Sequence, residues 1–359
     1  MGVNTLIDIS IEEFFEKQNA VPVDVRSPEE YEEGTIPGAI NVPLFNNIVR
    51  KEIGTIYKQV GQDHAKWRAM ELVSPYIPTL LSQIKELTKN GLVPVLFCWR
   101  GGMRSRAVAT FLEFSGIPVY RIEGGFRAYR QYILEQIPSI IPNKAVVLHG
   151  MTGVGKTDIL IKLQEQGYPV LDLEGIAAHK GSIFGAMGNS GGGNNQKTFD
   201  ALLFSRLMEL KESSFLIVEA ESKRIGKVTQ PQELLDKKIG GLQIYIHASI
   251  ASRVERIYRE YVEPYYLEQW FYDQVKEKMS VIQKRIKDLT IRAAIIEELE
   301  NRNYKQFIKL LLEYYYDPRY THKLFEYGEE FIHINTDNQA EVINEIATII
   351  DQSFSKLHP

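Results

Sequence analysis

"AVVLHGMTGVGKTDILIKL" (Ala145–Leu163) is the stretch on which the fold turns. An apolar, valine-rich run enters a glycine-rich turn that ends in Lys156 and Thr157, and Ile159, Leu160 and Leu163 then share one helical face. A strand that feeds Gly-x4-Gly-Lys-Thr and leaves as a helix can wrap a diphosphate in backbone N–H groups. Gly150, Thr152, Gly153 and Gly155 form the loop, Lys156 reaches the outer oxygens, and the Thr157 hydroxyl can ligate magnesium. The motif calls for a diphosphate or triphosphate guest and leaves hydrolysis undecided.

Strand signals continue downstream in "YPVLDLE" (168–174), "SFLIVEAE" (214–221), "LQIYIHAS" (242–249) and "EFIHINTD" (330–337). Helical patterns lie between them, so an α/β sheet is expected. Glu219 and Glu221 close the second of these strands, where an acid can meet magnesium through water; the bland alternative is a pair of solvated strand-end carboxylates. "DLEGIAAHKGSIFG" (172–185) offers Asp172, Glu174, His179 and Lys180 above the sheet, where ligands of open α/β sheets collect. A lone histidine is more often structural. Arg253 and Arg256, after the third of these strands, are weak phosphate candidates. "GNSGGGNN" (188–195) reads as a loop. From about 252 to 320 the strand signals vanish and helices rich in tyrosine and lysine follow. A slight positive charge interleaved with tyrosines suits RNA, but helices that simply pack together with solvated lysines outside are the preferred reading; "KRIKDLTIR" (284–292) is the most basic piece.

Upstream, Pro138 and Pro142 suggest a linker over 136–144. Before it, "AVPVDVRS" (20–27), "PVLFC" (94–98) and "PVYRIEGG" (118–125) read as buried parallel strands of a first domain, 1–135; the second domain covers 145–359. "VLFCWRGGMRSRAVA" (Val95–Ala109) holds the only cysteine of the chain. Cys98 ends a strand, Arg100, Gly101, Gly102 and Arg104 follow, and a helix starts near Ser105, with Val108, Phe111, Leu112 and Ser115 on one face. Loop N–H groups, the helix end and two arginines favour a thiolate and can cradle a tetrahedral oxyanion. A buried structural cysteine is the alternative.

These residues carry a resemblance. "PVDVRSPEEYEEGTIPGAINVP" (22–43) and "RIEGGFRAYR" (121–130) resemble the rhodanese domain, over roughly 5–135. By that resemblance Cys98 carries a transferable chalcogen, while Asp24 and Arg26 are mainly structural. Arg104 stands six positions after the cysteine, where sulfur-transferring loops have five. The longer loop is similar to that of rhodanese-like phosphatases and implies a larger guest.

Taken together, "CWRGGMRSRA", "GMTGVGKT", "DLEGIAAHKGSIFG" and "VEAESKRIG", in that order, resemble the family of bacterial tRNA 2-selenouridine synthases. The resemblance implies a rhodanese-like parallel-sheet domain followed by a P-loop NTPase-like α/β domain with a helical, aromatic-rich segment. It implies an enzyme that replaces the sulfur of wobble 2-thiouridine in tRNA with selenium from selenophosphate. The route runs through S-geranyl-2-thiouridine made from geranyl diphosphate. Cys98 would carry a selenopersulfide-type intermediate, magnesium would sit by Thr157 and Glu219, and the aromatic helices would offer the prenyl chain a groove. No tightly bound cofactor is expected; selenophosphate synthetase is an expected partner. Three alternatives stay open: an ATP-dependent tRNA sulfurtransferase, a cysteine-dependent phosphatase, and a non-catalytic regulator.

Composition sets outer limits. The 359 residues are 44% hydrophobic and 25% charged, with a net charge of -4, so no global basic field announces nucleic acid. A single cysteine suits a reducing compartment. No signal peptide or membrane-length apolar run is read, so a cytoplasmic protein without membrane contact is expected.

Overall fold

The computed structural model describes residues 6–179, 193–324, 327–328, 330–336 and 339–354. Lys180 and most of the glycine-asparagine stretch lie outside the described residues. The chain divides into two compact units, Met1–Ile137 with Lys197–Ser205, and Pro138–Gln196 with Arg206–Pro359.

The first unit is built on strands β1 (Leu6–Ile9), β2 (Ala20–Asp24), β3 (Ile40–Asn41), β4 (Val93–Phe97) and β5 (Val119–Ile122). They form one parallel sheet in the order β1-β5-β4-β2-β3. β4 is central and buried along almost its whole length, as a strand covered on both faces must be. Val23, Leu96, Val108, Leu112 and Val119 fill the core beside it. The helix after the thiol loop starts at Met103 and buries Ser105, Val108, Ala109 and Leu112; Ser115 instead ends it. Two helices the sequence patterns did not single out, Asn47–Gln59 and Gln62–Val73, lie between β3 and β4. The first of them has no fully buried residue.

The second unit carries β6 (Lys144–His149), β7 (Val170–Leu171), β8 (Phe215–Glu219), the short antiparallel hairpin β9 (Arg224–Ile225) and β10 (Val228–Thr229), β11 (Leu242–His247) and β12 (Ile332–Asn335). Its parallel sheet runs β12-β11-β6-β8-β7, with the phosphate-loop strand β6 in the middle. Val146, Leu148, Ile159, Leu160, Leu163 and Ile244 pack in its core. The helical segment has a core of its own around Val262, Phe271, Phe307 and Leu311. The bland reading of its aromatics therefore holds for Phe271, Tyr304, Phe307 and Tyr315, which are buried, but not for Tyr265, Tyr266, Trp270 and Tyr314, which are exposed. Among the described residues no helix is long and apolar enough to cross a membrane.

The region expected as a linker is structured. The helix Gly125–Ile140 runs through Pro138, and β6 begins at Lys144. Pro138 lies near the helix end, so its missing N–H orphans one carbonyl, that of Leu134, whose residue is on the exposed side where water can bond it.

Asp24 and Arg26 are structural. Both are buried, and Arg26 Nη2 donates to Asp24 Oδ2 at 2.6 Å and to the Gly34 carbonyl at 2.7 Å. Thr35 and the Arg26 backbone N–H donate to the same carboxylate. Arg26→Met leaves that carboxylate buried without its counter-ion. A loss of about 3–5 kcal/mol is expected in urea unfolding of the full chain; a loss below about 1 kcal/mol would contradict this role.

Candidate functional site

Cys98 follows the last residue of β4 and is buried. Its carbonyl accepts from the Phe126 N–H at 2.9 Å, and the Trp99 carbonyl accepts from the Arg127 N–H at 2.9 Å. These bonds fasten the thiol loop to the Gly124–Gly125 turn. Gly125 has φ +60°, and a Cβ there would stand 2.2 Å from the Cys98 carbonyl oxygen, so only glycine lets the two backbones meet. The Ser105 hydroxyl lies 3.4 Å from the Cys98 Sγ and can donate to it. No side chain caps the helix that begins at Met103, which leaves its leading N–H groups to a guest anion.

The two arginines of the loop separate. Arg100 is exposed. Arg104, expected to face the thiol, instead forks onto Glu30, with Nη1 at 2.5 Å from Oε2 and Nη2 at 3.0 Å from Oε1. Arg50 also reaches Glu30, and Glu30 closes a capping box on Ser27. Burial opposes the charge on Glu30, but Arg104 and Arg50 outweigh it and pull the carboxyl down to about 2. Arg121, from β5, clamps the loop at its glycines: its Nη1 donates to the Gly101 carbonyl at 2.6 Å, while Asp8 holds the rest of the guanidinium. Sequence reasoning missed Glu30, Ser105 and Arg121. Glu30 and Arg121 act on the loop from distant parts of the chain, whereas Ser105 stands only seven residues after Cys98.

In the second unit the phosphate loop closes over β6. Gly155 sits at φ +93° and begins the helix Lys156–Glu165, with the Arg256 side chain in contact where a Cβ would be. Lys156 Nζ donates to the Gly150 carbonyl at 2.8 Å, bridging the loop in the way a phosphate-binding lysine rests. Burial opposes its charge, but Tyr320, Glu174 and Glu221 outweigh that and hold the ammonium above its ordinary value. The Tyr320 ring centroid lies 5.4 Å from Nζ. Thr152, Gly153, Gly155, Lys156, Thr157, Glu174, Glu221, Arg256, Ile257, Tyr261 and Tyr320 line one pocket. Tyr261 reaches it from a π-helical turn, Tyr258–Val262, a feature common at functional sites.

The remaining candidates divide. Arg256 donates to the Gly153 carbonyl at 2.6 Å. Arg253 does not line the pocket; it braces the loop through the Thr152 carbonyl at 2.8 Å and forks onto Asp317. Glu219 is buried below the pocket. Its Oε1 accepts from the Glu174 N–H at 2.7 Å, and its Oε2 has no hydrogen-bond partner. Burial, then Asp172, push its carboxyl well above the carboxylate range. Asp172 caps the short helix Leu173–Ile176. His179 packs its ring against Gly226, at the β9–β10 turn, and is not a pocket residue. Among the described residues no group of three or more His, Cys, Asp or Glu side chains converges on a metal. A magnesium ion here would therefore rest on Thr157 and the guest's own oxygens, with carboxylates reached through water.

Comparison with known proteins follows this division. The profile described as the tRNA 2-selenouridine synthase AAA domain matches residues 143–352, and that of the rhodanese-like domain matches 10–132. The tRNA 2-selenouridine synthase of Pseudomonas syringae pv. syringae (strain B728a) is 32% identical, over 85% of this chain and 89% of that protein. That of Shewanella pealeana (strain ATCC 700345 / ANG-SQ1) is 31% identical over 89% and 92%. Among solved structures, the N-terminal domain of a putative ATP/GTP binding protein from Clostridium difficile 630 is 41% identical, covers 35% of this chain and 98% of its own, and has a TM-score of 0.34.

The Glu30 fork carries a pH signature. Its folded pKa lies below the unfolded value, so the unfolded chain binds the extra proton first as pH falls. The stability it contributes is whole above about 4.5 and is lost toward about 2. Glu30→Gln is expected to lower the thermal midpoint at pH 7, with the gap to wild type closing across that window. A gap that stays constant would contradict the fork's role.

Proposed function

This chain belongs to the family of tRNA 2-selenouridine synthases and is an enzyme of that type, and on that premise we propose that it exchanges the sulfur of wobble 2-thiouridine for selenium. The donor in this reading is selenophosphate, and S-geranyl-2-thiouridine is the intermediate. The observation that carries it is the presence, in one family chain, of a lone thiol in an anion loop and of a diphosphate loop with an aromatic wall.

Each half-reaction has a supporting geometry. For geranyl transfer, the phosphate loop and Lys156 hold the diphosphate of geranyl diphosphate. The thiouridine sulfur bonds to the terminal prenyl carbon, the carbon–oxygen bond breaks, and its electron pair leaves with the diphosphate. Lys156 and the loop N–H groups stabilise that leaving charge. Ile257, Tyr261 and Tyr320 give the start of the prenyl chain an apolar wall. Magnesium suits the Thr157 hydroxyl and the acidic surroundings of Asp172, Glu174, Glu219 and Glu221, whose mutual repulsion a divalent cation would relieve; bound there, it would supply charge neutralisation for the diphosphate.

For selenation, Cys98 is the group that handles the incoming selenium, with Ser105 beside its sulfur and Arg100 free on the surface to draw the anionic donor. The loop N–H groups beside Gly101 and Gly102 fit a tetrahedral anion such as selenophosphate. Exposed Tyr265, Tyr266 and Trp270 offer stacking faces to the unpaired bases of an anticodon loop. The reading needs no tightly bound cofactor, takes selenophosphate synthetase as the source of donor, and places the reaction in the cytoplasm, where the thiol stays reduced.

The test uses purified protein, tRNA bearing 2-thiouridine, selenophosphate, and geranyl diphosphate present or absent, with released nucleosides weighed by mass spectrometry. Wild type should yield 2-selenouridine, Cys98→Ser should accumulate the geranyl thioether, and Lys156→Ala should make neither product. No mass change with any donor would overturn the reading and favour thiolation or phosphate-ester chemistry, which the same preparations can then be assayed for.

A further inference from the structure

The phosphate-loop pocket accounts for a diphosphate, yet a large cavity of the first unit opens elsewhere, on Cys98. It has a volume of about 740 Å3. Helices Asn47–Gln59 and Gln62–Val73 form one side, the thiol loop and the helix Met103–Phe114 the other. Its lining is mostly apolar: Ile53, Tyr57 and Met70 face Met103, Ala107 and Phe111 across the space. Three of these are half exposed: Tyr57 55%, Met70 53% and Met103 50%.

The cavity is larger and more apolar than a small anion alone would fill. Selenophosphate has five non-hydrogen atoms and needs roughly 150 Å3, at water's share of about 30 Å3 for each. A thiouracil ring carrying a ten-carbon prenyl chain has about 18 and needs roughly 540 Å3 on the same scale. A cavity of this volume, lined by aliphatic and aromatic groups with few polar ones, is the form that apolar ligand sites take. Its position matters more: Cys98 and Arg100 belong to the same lining, so whatever fills the space lies against the reacting thiol.

We propose that this cavity seats the prenyl chain of the S-prenylated base while its C2 carbon faces Cys98, and so selects the prenyl thioether over smaller thioethers for displacement. The inference rests on the two-step reading above. In the displacement Cys98 and the loop N–H groups hold the donor, whose selenium bonds to C2; the C2–sulfur bond breaks, and its electron pair leaves with the prenyl thiolate, which takes a proton from water. Water then cleaves the selenium–phosphorus bond, releasing phosphate and leaving 2-selenouridine. The departing thiolate lies in the mostly apolar space that Cys98 and the thiol loop border, while Arg100 and Lys58, in the same lining, supply positive charge for the donor and the RNA backbone.

The experiment compares two substrates in the full chain: tRNA bearing S-geranyl-2-thiouridine and the same tRNA bearing S-methyl-2-thiouridine, each with selenophosphate. Ala107→Phe narrows the cavity from one wall and Ile53→Trp from the other. For both variants the ratio of kcat/KM, geranyl over methyl, is expected to fall at least about tenfold, chiefly through KM of the geranyl substrate. A ratio that stays within about twofold of wild type, in both variants, would overturn the proposal. If wild type converts neither substrate, the two-step reading fails by itself, and binding decides the cavity. Trp99 lines it, so the S-geranyl-2-thiouridine nucleoside should change Trp99 fluorescence in wild type, more weakly in Ala107→Phe, and the S-methyl nucleoside should not. Equal responses to the two nucleosides, or no response to either, would overturn it.

Discussion

Both loops of this protein depend on one constraint: a bare backbone must come closer to another backbone or side chain than any Cβ permits. At Gly125 the neighbour is the Cys98 carbonyl, and a side chain would lie 2.2 Å from it. At Gly150 it is the Ile246 carbonyl oxygen, 2.7 Å from where a Cβ would stand. The result in each unit is a loop at the end of a central parallel strand, β4 or β6, whose N–H groups are set by the sheet rather than by flexible side chains. Such donors lose little entropy on meeting an anion, which makes them suited to holding one. The glycine turns thus fix the two places where charge can be handled before any catalytic side chain is considered.

The charged side chains then divide by burial. Arg104 and Arg121 are spent on Glu30, Asp8 and the loop carbonyls, so they shape the thiol loop more than they electrify it. Arg253 does the same for the phosphate loop through Asp317. The cationic groups not spent on an ion pair that braces a loop are Arg100, exposed in one unit, and Lys156, which rests on the Gly150 carbonyl in the other. Glu219 is the opposite case: a buried carboxyl with one oxygen unsatisfied, crowded by Asp172, Glu174 and Glu221. An unpaired buried acid is expensive. Its cost is tolerable where a cation or a proton arrives during the reaction cycle, and that places the electrostatic tension of the second unit beneath the phosphate loop.

Legibility in the sequence follows contiguity. The phosphate loop and the thiol loop are runs of adjacent residues between a strand and a helix, so their chemistry could be read directly, as could the strands that carry them. Arg104 was read as a thiol neighbour because six positions separate it from Cys98; its partner Glu30 lies 74 residues away and no local pattern announces it. Arg121 and Tyr320 are likewise brought in by topology. The Pro138 break failed for a different reason. A proline two residues from a helix end orphans one carbonyl that water can serve, so the helix continues. The aromatic tail was ambiguous in composition because the same residue types fill a core at Phe271 and Phe307 and stand in solvent at Trp270.

The helices Asn47–Gln59 and Gln62–Val73 bring these threads together. In the first unit they leave Tyr57, Trp67 and Met70 exposed, and Tyr57 and Met70 line the cavity beside Cys98. A stretch of chain that pays the entropy of ordering while leaving such side chains in water is poorly explained by stability alone. It is well explained if the apolar surface is completed by a guest. A thiol that met only sulfur-sized anions would need no roof of this kind. A longer loop after Cys98 and an apolar space above it are two consequences of the same requirement, which is to bring a charged donor and a greasy substrate to one sulfur atom from different sides.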